Sequence, residues 1–240
     1  EGIFEAGDWV LEIASNDGYL LKNFLPFGIM CIGVEPAENV AEISRGLGIN
    51  TISEFFSSQL ARELLDKHGY PKLIIANNVM AHVPDLIDFV NGLSVLCGRE
   101  TLISIENPSL ANILLGMQFD TIYHEHYSYL SVTALIPLFK SHGLKIVDVE
   151  ELKTHGGSLR IYVAKENSHW ERTDSVDSIL KKEAEFDPRS NLIWKSLQEK
   201  TLNVKMDLVS ELIFCKKMGL QVAAYGAAAK GNTLLNYCGI

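Results

Sequence analysis

Residues 9–24 read WVLEIASNDGYLLKNF. The first five make a short apolar run that enters a turn at Ser15-Asn16-Asp17-Gly18, and Leu20, Leu21 and Phe24 follow at helical spacing. A buried strand turning sharply into a helix is the opening unit of a doubly wound domain, because parallel strands need crossovers between them. The pattern repeats outward from there. Residues 30–34 read as a second buried strand ending at Glu35-Pro36, followed by a helix over 37–46, a strand over 49–52 and a helix over 57–68. A strand over 73–76, a helix over 85–97 and a fifth strand over 101–105 come next. Apolar strands alternating with helices predict a parallel sheet covered on both faces. Residues 132–142 read as a helix closed by Gly143, and LKIVDVEEL (144–152) and SLRIYVAK (158–165) as two strands. Their link, Lys153-Thr154-His155-Gly156-Gly157, is short and contains glycine, so the last strand is expected to run antiparallel to its neighbour. The expected fold is α/β, a doubly wound seven-stranded sheet.

Residues 170–217 change character. Ile193, Leu197, Val204, Leu208 and Leu212 form a helical stripe among charged residues, read as helical connection, with Pro188 separating two helices. LQVAAYGAAAKGNTLLNYC (220–238) then restarts a strand–turn–helix pattern. The expected organisation is one domain over 1–167, a helical connection over 168–217 and the start of a second α/β domain over 218–240. The chain starts without methionine almost on a strand and stops just after a new helix, so a segment of a longer protein is expected.

Of the 240 residues, 47% are apolar, enough for a substantial core. A net charge of −9 offers no footprint for nucleic-acid phosphates and disfavours an anionic membrane surface, though a small phosphorylated molecule needs only local donors. The four cysteines are scattered without a C-x-x-C pair, so neither a disulfide framework nor a zinc site is expected in this chain, and a reducing cytoplasm is the simplest location. No signal peptide and no apolar run long enough to span a bilayer is found.

In a doubly wound sheet, ligands bind outside the carboxyl ends of the strands, where the first turn sits. A dinucleotide site asks for G-x-G-x-x-G, but only Gly18 is glycine here, with Ala14 and Asn16 in the other tight positions. That weakens an NAD reading. Glu12, opening the turn, fits S-adenosylmethionine (SAM) instead, whose zwitterionic amino acid replaces the pyrophosphate. Glu35 lies 23 residues after Glu12 at the end of the second strand, placed to accept ribose hydroxyls, as it would be in NAD proteins too. Phe55 offers a face to adenine, although core packing is an alternative for it and for Phe56. Asn77, ending the fourth strand on the same edge, joins this candidate cofactor set.

Three loops are expected to converge beside the methionine end of such a cofactor. They are residues 77–82, residues 107–130 and the His155-Gly156-Gly157 hairpin. Within the second, TIYHEHYSYLS (121–131) holds three tyrosines, two histidines and a glutamate. Histidine takes a proton near neutral pH, tyrosine can donate to a developing oxyanion, and Glu125 could orient a histidine. A metal held by His124, Glu125 and His126 is disfavoured, since neighbouring loop residues seldom fold back onto one ion. His124 is as readily a packed ring, and His68, His142 and His169 are read as packing residues.

EIASNDGYLL, GVEPAENVA, IIANNVMAHVPDLIDFV, QFDTIYHEHYSYLS, THGGSLRIYVA and AAYGAAAKGNTLLNYCGI together resemble the nucleotide-sugar C-methyltransferases. These SAM-dependent enzymes, with a class I Rossmann-like methyltransferase fold, add a branch methyl to keto-deoxysugars, as in mycarose- and tetronitrose-type pathways. The resemblance covers almost the whole chain. It implies a three-part protein with an N-terminal zinc-binding domain, a central SAM domain and a C-terminal Rossmann-like domain. This chain would be the second part, its connecting helices and the start of the third, with the zinc-binding cysteines upstream. Carried over, the resemblance makes His126 the general base that removes the proton beside the sugar ketone, giving an enolate that attacks the SAM methyl. Tyr123 and Glu125 would position substrate or steady the enolate, and Asn78, His82 and His155 would meet the sugar nucleotide. Glu12, Gly18 and Glu35 would hold SAM, and Lys230, Asn232 and the Gly226 turn would meet the nucleotide or sugar end. Ala14 departs from the pattern, where glycine is common. An O- or N-methyltransferase of another small metabolite, a SAM- or sugar-nucleotide-binding module without turnover, and an NAD oxidoreductase are the alternatives.

Overall fold

The computed structural model describes residues 4–186, 189–226 and 229–240, with the side chains of His155 and Phe186 outside the described set. The apolar runs of the N-terminal half form β1 (Trp9–Ile13), β2 (Met30–Val34), β3 (Asn50–Ile52), β4 (Leu73–Asn77) and β5 (Leu102–Pro108), all parallel. A hairpin of β6 (Leu144–Leu152) and β7 (Ser158–Lys165) completes a seven-stranded sheet, ordered β3-β2-β1-β4-β5-β7-β6. β7 lies between β5 and β6 and is antiparallel to both, as the short link requires. Crossovers are α1 (Glu38–Gly46), α2 (Ser58–His68), α3 (Leu86–Leu96), α4 (Leu110–Leu115) and α5 (Val132–Ser141). Beyond the sheet come α6 (Asp174–Phe186), α7 (Asn191–Lys217) and α8 (Ala229–Cys238).

Side chains alternate across each strand, so the two faces have separate cores. On one face Leu11, Ile13, Ile32, Val34, Ile74 and Ile103 meet Leu64 of α2, Phe89 and Leu93 of α3 and Phe139 of α5. On the other, Val10, Cys31 and Ile75 meet Leu21 and Ile49. This second face is only partly covered, contrary to expectation: a groove of about 420 Å³ runs over β4, β5 and β7, lined by Leu73, Asn77, Ser104, Arg160, Tyr162 and Trp170 among others.

The segment after the first turn is not an α-helix but two 3-10 turns, Leu21–Asn23 and Leu25–Phe27. Asn23 Nδ2 donates to the Tyr19 and Leu20 carbonyls at 3.1 and 2.9 Å, taking acceptors from a helical ladder, and Pro26 has no N–H to continue one. Residues 220–226 likewise form no strand. Leu220, Val222 and Tyr225 are exposed, and no strand among the described residues offers their backbone a partner. Only the helical half of that pattern appears, as α8. Pro188 lies outside the described residues, between α6 and α7. The four cysteines are free thiols, and no helix of the described residues is long and apolar enough to cross a membrane.

One long-range contact fixes where the 107–131 segment ends. Glu183 of α6 is buried, and its carboxylate accepts from Val132 N and Thr133 N at 2.8 Å each and from Thr133 Oγ1 at 2.6 Å. It therefore caps the first turn of α5 from another helix, adding to Ser131 Oγ, which accepts from Ala134 N. Glu183→Ala leaves the buried Val132 N–H and the part-buried Thr133 N–H without that acceptor. The expected loss is about 2–4 kcal/mol, read as a lower urea midpoint at an unchanged m-value.

Candidate active site

The turn after β1 is built from alternating left-handed residues: Ala14 (φ 56°), Asn16 (φ 53°) and Gly18 (φ 79°). Gly18 is required on two counts, since a Cβ there would also lie 2.5 Å from Ile49 Cδ1 and 2.7 Å from Ser44 Oγ. For Ala14 the cost is conformational, about 1–2 kcal/mol for an L-residue held left-handed. Neighbouring backbone holds the turn in this shape. Ser15 N donates to Val34 O at 3.2 Å, Asn16 N to Glu35 Oε2 at 3.1 Å and Ala37 N to Glu35 Oε1 at 2.9 Å. Glu35 thus braces the rim between β1 and α1, and its two oxygens keep lone pairs for further donors such as ribose hydroxyls.

Beside this rim lies a cavity of about 430 Å³, walled mainly by Ile13, Ala14, Val34, Pro36, Phe55, Phe56, Val79 and His82. It is apolar with a few convergent polar groups, as an adenosine site requires. The two phenylalanines divide their roles: Phe56 packs edge-on against Phe89 at 5.4 Å, while Phe55 stands 80% exposed at the mouth. On the opposite side of β1, Glu12 is 2% exposed, and its Oε2 has no hydrogen-bond partner. Burial, with Asp17 adding, pushes its carboxyl up to about 8. A buried carboxylate oxygen without a donor suits a cationic group, and the ammonium of SAM is one. Asn77 lies on this Glu12 side, its buried Oδ1 also without a partner, away from the adenosine cavity. Glu12, Ala14, Glu35 and Phe55 therefore fit the two ends of SAM around the first turn.

The three loops are tied together. Tyr127 N and Ser128 N donate to Ala81 O at 2.8 and 3.2 Å. Gln118 Nε2 donates to Gly156 O at 2.6 Å and Asn112 Nδ2 to Gly157 O at 3.2 Å. Asn78, left-handed at φ 54°, donates its N–H to Glu106 O at 2.6 Å and so turns the chain from β4 towards His82.

His126 is half-buried where these loops meet. Its Nδ1 lies 2.8 Å from Thr121 O, which only a protonated Nδ1 can satisfy, so in the neutral ring Nε2 is the bare nitrogen. Tyr123 OH donates to Nε2 at 3.2 Å. The His82 ring centroid lies 4.7 Å away and that of Tyr129 5.9 Å away. Burial lowers the His126 pKa, helped by His82 and Lys230 and opposed by the Thr121 bond and Glu125. Burial raises that of Tyr123, with Glu125 and Asp120 adding, which keeps its proton in place as a donor. In the neutral ring the pair is a bare imidazole nitrogen facing a phenol.

Glu125 is exposed and acts on the ring through charge; the expected orienting role belongs to the Thr121 carbonyl. His124 is exposed. Among the described residues no group of three or more His, Cys, Asp or Glu is placed to hold a metal ion. Lys230 reaches His126 through its charge, whereas Asn232 is exposed and its Oδ1 accepts from Asn236 Nδ2 within α8. The His155 side chain lies outside the described residues. His68 packs against Trp9, His142 bonds to Leu138 O, and His169 stacks on Trp170. Three residues near the base escaped the sequence reading: Thr121, Tyr129 and Asn107, the last 1% exposed with an unpartnered Oδ1. Tyr129 belongs to the aromatic-rich stretch and was legible there. Thr121 acts through a carbonyl every residue carries, and Asn107 reads as the end of a strand.

Sheet order and first turn are those of the class I Rossmann-like methyltransferase fold. The chain belongs to the methyltransferase domain family, which matches residues 2–149, and residues 153–240 match the C-methyltransferase C-terminal domain. A curated relative, C-methyltransferase NovU of Streptomyces niveus, is 35% identical over 234 residues, covering 98% of this chain and 56% of its own length. The chain thus spans a little over half of that relative. Among solved structures, a SAM-dependent methyltransferase of Archaeoglobus fulgidus superposes with a TM-score of 0.55 at 18% identity, covering 68% of this chain and 88% of its own. The magnesium protoporphyrin IX methyltransferase of Synechocystis with bound S-adenosylhomocysteine gives 0.51 at 11% identity, covering 67% and 76%.

The raised Glu12 carboxyl has two measurable consequences. Held neutral in the folded protein and ionised when unfolded, it makes stability fall as pH rises from about 4.5 to about 8, and then level off. Glu12→Gln removes that fall, so the variant's advantage in melting temperature should grow over this window and stay constant above it. The same variant should bind S-adenosylhomocysteine more weakly, and wild-type affinity should rise with pH up to about 8 as the carboxylate forms to meet the ammonium. A wild-type and variant pair with parallel melting profiles across this window contradicts the assignment.

Proposed function

We propose that this protein transfers a methyl group from SAM to the carbon next to the ketone of a nucleotide-linked keto-deoxysugar. The observation that carries the proposal is the contact between His82 and His126. His82 lines the adenosine cavity, and its ring lies 4.7 Å from that of His126, whose bare nitrogen faces a phenol donor. A base beside the cofactor cavity is what carbon methylation needs, because a carbon becomes nucleophilic only after losing a proton. The C-methyltransferase C-terminal domain and the similarity to NovU support carbon as the acceptor.

The residues divide the work as follows. Glu12 accepts the ammonium of SAM, Glu35 the ribose hydroxyls, and Phe55 with Phe56 flanks adenine, with Ala14, Asn16 and Gly18 shaping the turn. SAM, when bound, supplies an electrophilic methyl on a sulfonium. His126 Nε2 removes the proton on the carbon beside the ketone, and the C–H electron pair becomes the enolate. Tyr123, released from Nε2 as substrate enters, donates to the enolate oxygen. The enolate carbon would be the nucleophile for that methyl, with the C–S bonding pair left on sulfur. His82 and Asn78 line the sugar's approach, and Lys230 and Asn232 on α8, with His155, serve its nucleotide side. We take residues 1–167 as the SAM-binding unit, 168–217 as helical connection and 218–240 as the start of a C-terminal unit, and the free thiols suit the cytoplasm.

His126→Ala should keep S-adenosylhomocysteine affinity and lose about 10²–10⁴-fold in turnover, the usual worth of a general base. It should also abolish exchange of the sugar's acidic proton with deuterated solvent. Wild-type turnover should fall as pH drops below the His126 pKa, which lies under the ordinary 6.5, since only the neutral ring accepts the proton. Normal exchange by the alanine variant would remove His126 from the role.

A further inference from the structure

The carbonyl that selects the His126 tautomer sits on a weak element. Thr121 ends a three-residue 3-10 turn, Phe119–Thr121, whose own bonds are Thr121 N to Gln118 O at 3.0 Å and Ile122 N to Phe119 O at 2.9 Å. So short a turn takes its position from what packs on it. On one side Gln118 ties it to the hairpin. On the other lies α8: the Tyr237 ring meets the Phe119 ring at 5.3 Å and 57°. Tyr237 is itself anchored by Lys205 of α7, whose Nζ donates to Tyr237 O at 2.9 Å and stands 5.4 Å from the ring centroid. The neighbouring Cys238 is buried. A continuous series of contacts runs from α7 through Tyr237, Phe119 and Thr121 O to His126 Nδ1.

We propose that Tyr237 is a positioning residue for the base: its ring holds the Phe119–Thr121 turn so that the Thr121 carbonyl keeps the His126 proton on Nδ1 and leaves Nε2 bare. This rests on His126 being the base. A histidine that loses the partner of one nitrogen is free to place its proton on the other, which turns the acceptor away from the substrate. The groups facing His126 are Tyr123, Glu125 and Tyr129 from its own loop, His82 from the loop after β4 and Lys230 from α8. Removing Tyr237 changes none of them chemically. It removes the support of the Thr121 bond, which by itself favours the protonated ring. The base of a Tyr237→Ala variant therefore titrates at lower pH while working less well at its plateau.

The test compares Tyr237→Ala and Tyr237→Phe with wild type and His126→Ala in the full-length protein, following deuterium exchange at the keto-sugar carbon against pH. Tyr237→Ala should bind S-adenosylhomocysteine normally, lose about 10- to 100-fold in exchange, the usual effect of an orienting partner, and shift the acid limb of its profile to lower pH. Tyr237→Phe keeps the ring and should restore both. A second reading needs no turnover: in the 15N spectrum of the same proteins, the His126 Nδ1–H signal should be present in wild type and Tyr237→Phe and lost in Tyr237→Ala. Should the alanine variant not fold, Tyr237→Leu takes its place, keeping apolar bulk without the ring. An unshifted pH profile and a retained Nδ1–H signal overturn the inference. Full exchange by His126→Ala would instead overturn the reading of the base, and so separates the two failures.

Discussion

The chain travels outward from β1 to β3 and then returns to place β4 on the other side of β1. This reversal is the constraint on which the site depends. Two crossovers leaving β1 and β4 in opposite directions cannot both cover the carboxyl end between them, so a crevice opens there. The first turn and the 77–82 loop form its two walls, and the 107–131 segment, leaving the carboxyl end of the next strand, closes over it through the Ala81 carbonyl. The cavity beside the first turn and His126 are neighbours because both lie at this one edge of the sheet.

The site is held in shape against local preference. Ala14 and Asn16 are left-handed without being glycine, Glu12 is a buried carboxyl without a donor, and the buried Asn77 and Asn107 Oδ1 atoms, on opposite faces of the sheet, have no partner. Each lowers the stability of the ligand-free protein, and the first turn is tolerated because β1 and β2 beneath it are packed on both faces. Glu35 shows how the strain is contained. One carboxylate takes the N–H groups of Asn16 and Ala37, so the strained turn and the entry to α1 are held by a single rigid acceptor. A polar atom left without a partner here is an opening for a ligand atom, and Glu12 is the clearest case.

How much of this was legible in the sequence follows from the range of the interactions involved. The strands could be read because each is a short, largely apolar run bounded by turn residues, and the hairpin because its link is short and contains glycine. The tight positions of the first turn could be read too, and all three proved left-handed. What failed depends on partners far along the chain or on side chains competing for backbone. Leu20, Leu21 and Phe24 have helical spacing, but Asn23 and Pro26 redirect the backbone into 3-10 turns. Residues 220–226 have strand composition, but a strand exists only beside another. Within the site, residue types were visible and their pairing was not: the carboxylate adjacent in sequence, Glu125, was the natural partner for His126, yet geometry assigns that place to a backbone carbonyl.

The 107–131 segment also shows why the surroundings of His126 cannot be understood from the sheet domain alone. Its far end is fixed by Glu183 reaching from α6 to the first turn of α5, and its middle by Tyr237 reaching from α8 to Phe119. Both helices follow the last strand, so the segment that starts on β5 takes its final shape only when elements beyond β7 have packed. A loop rich in tyrosine and histidine has many ways to bury its rings against one another. Two anchors from outside, one a buried charge and one an aromatic ring, select the arrangement in which a histidine keeps a bare nitrogen, and they tie the chemistry of the site to the folding of the helices behind it.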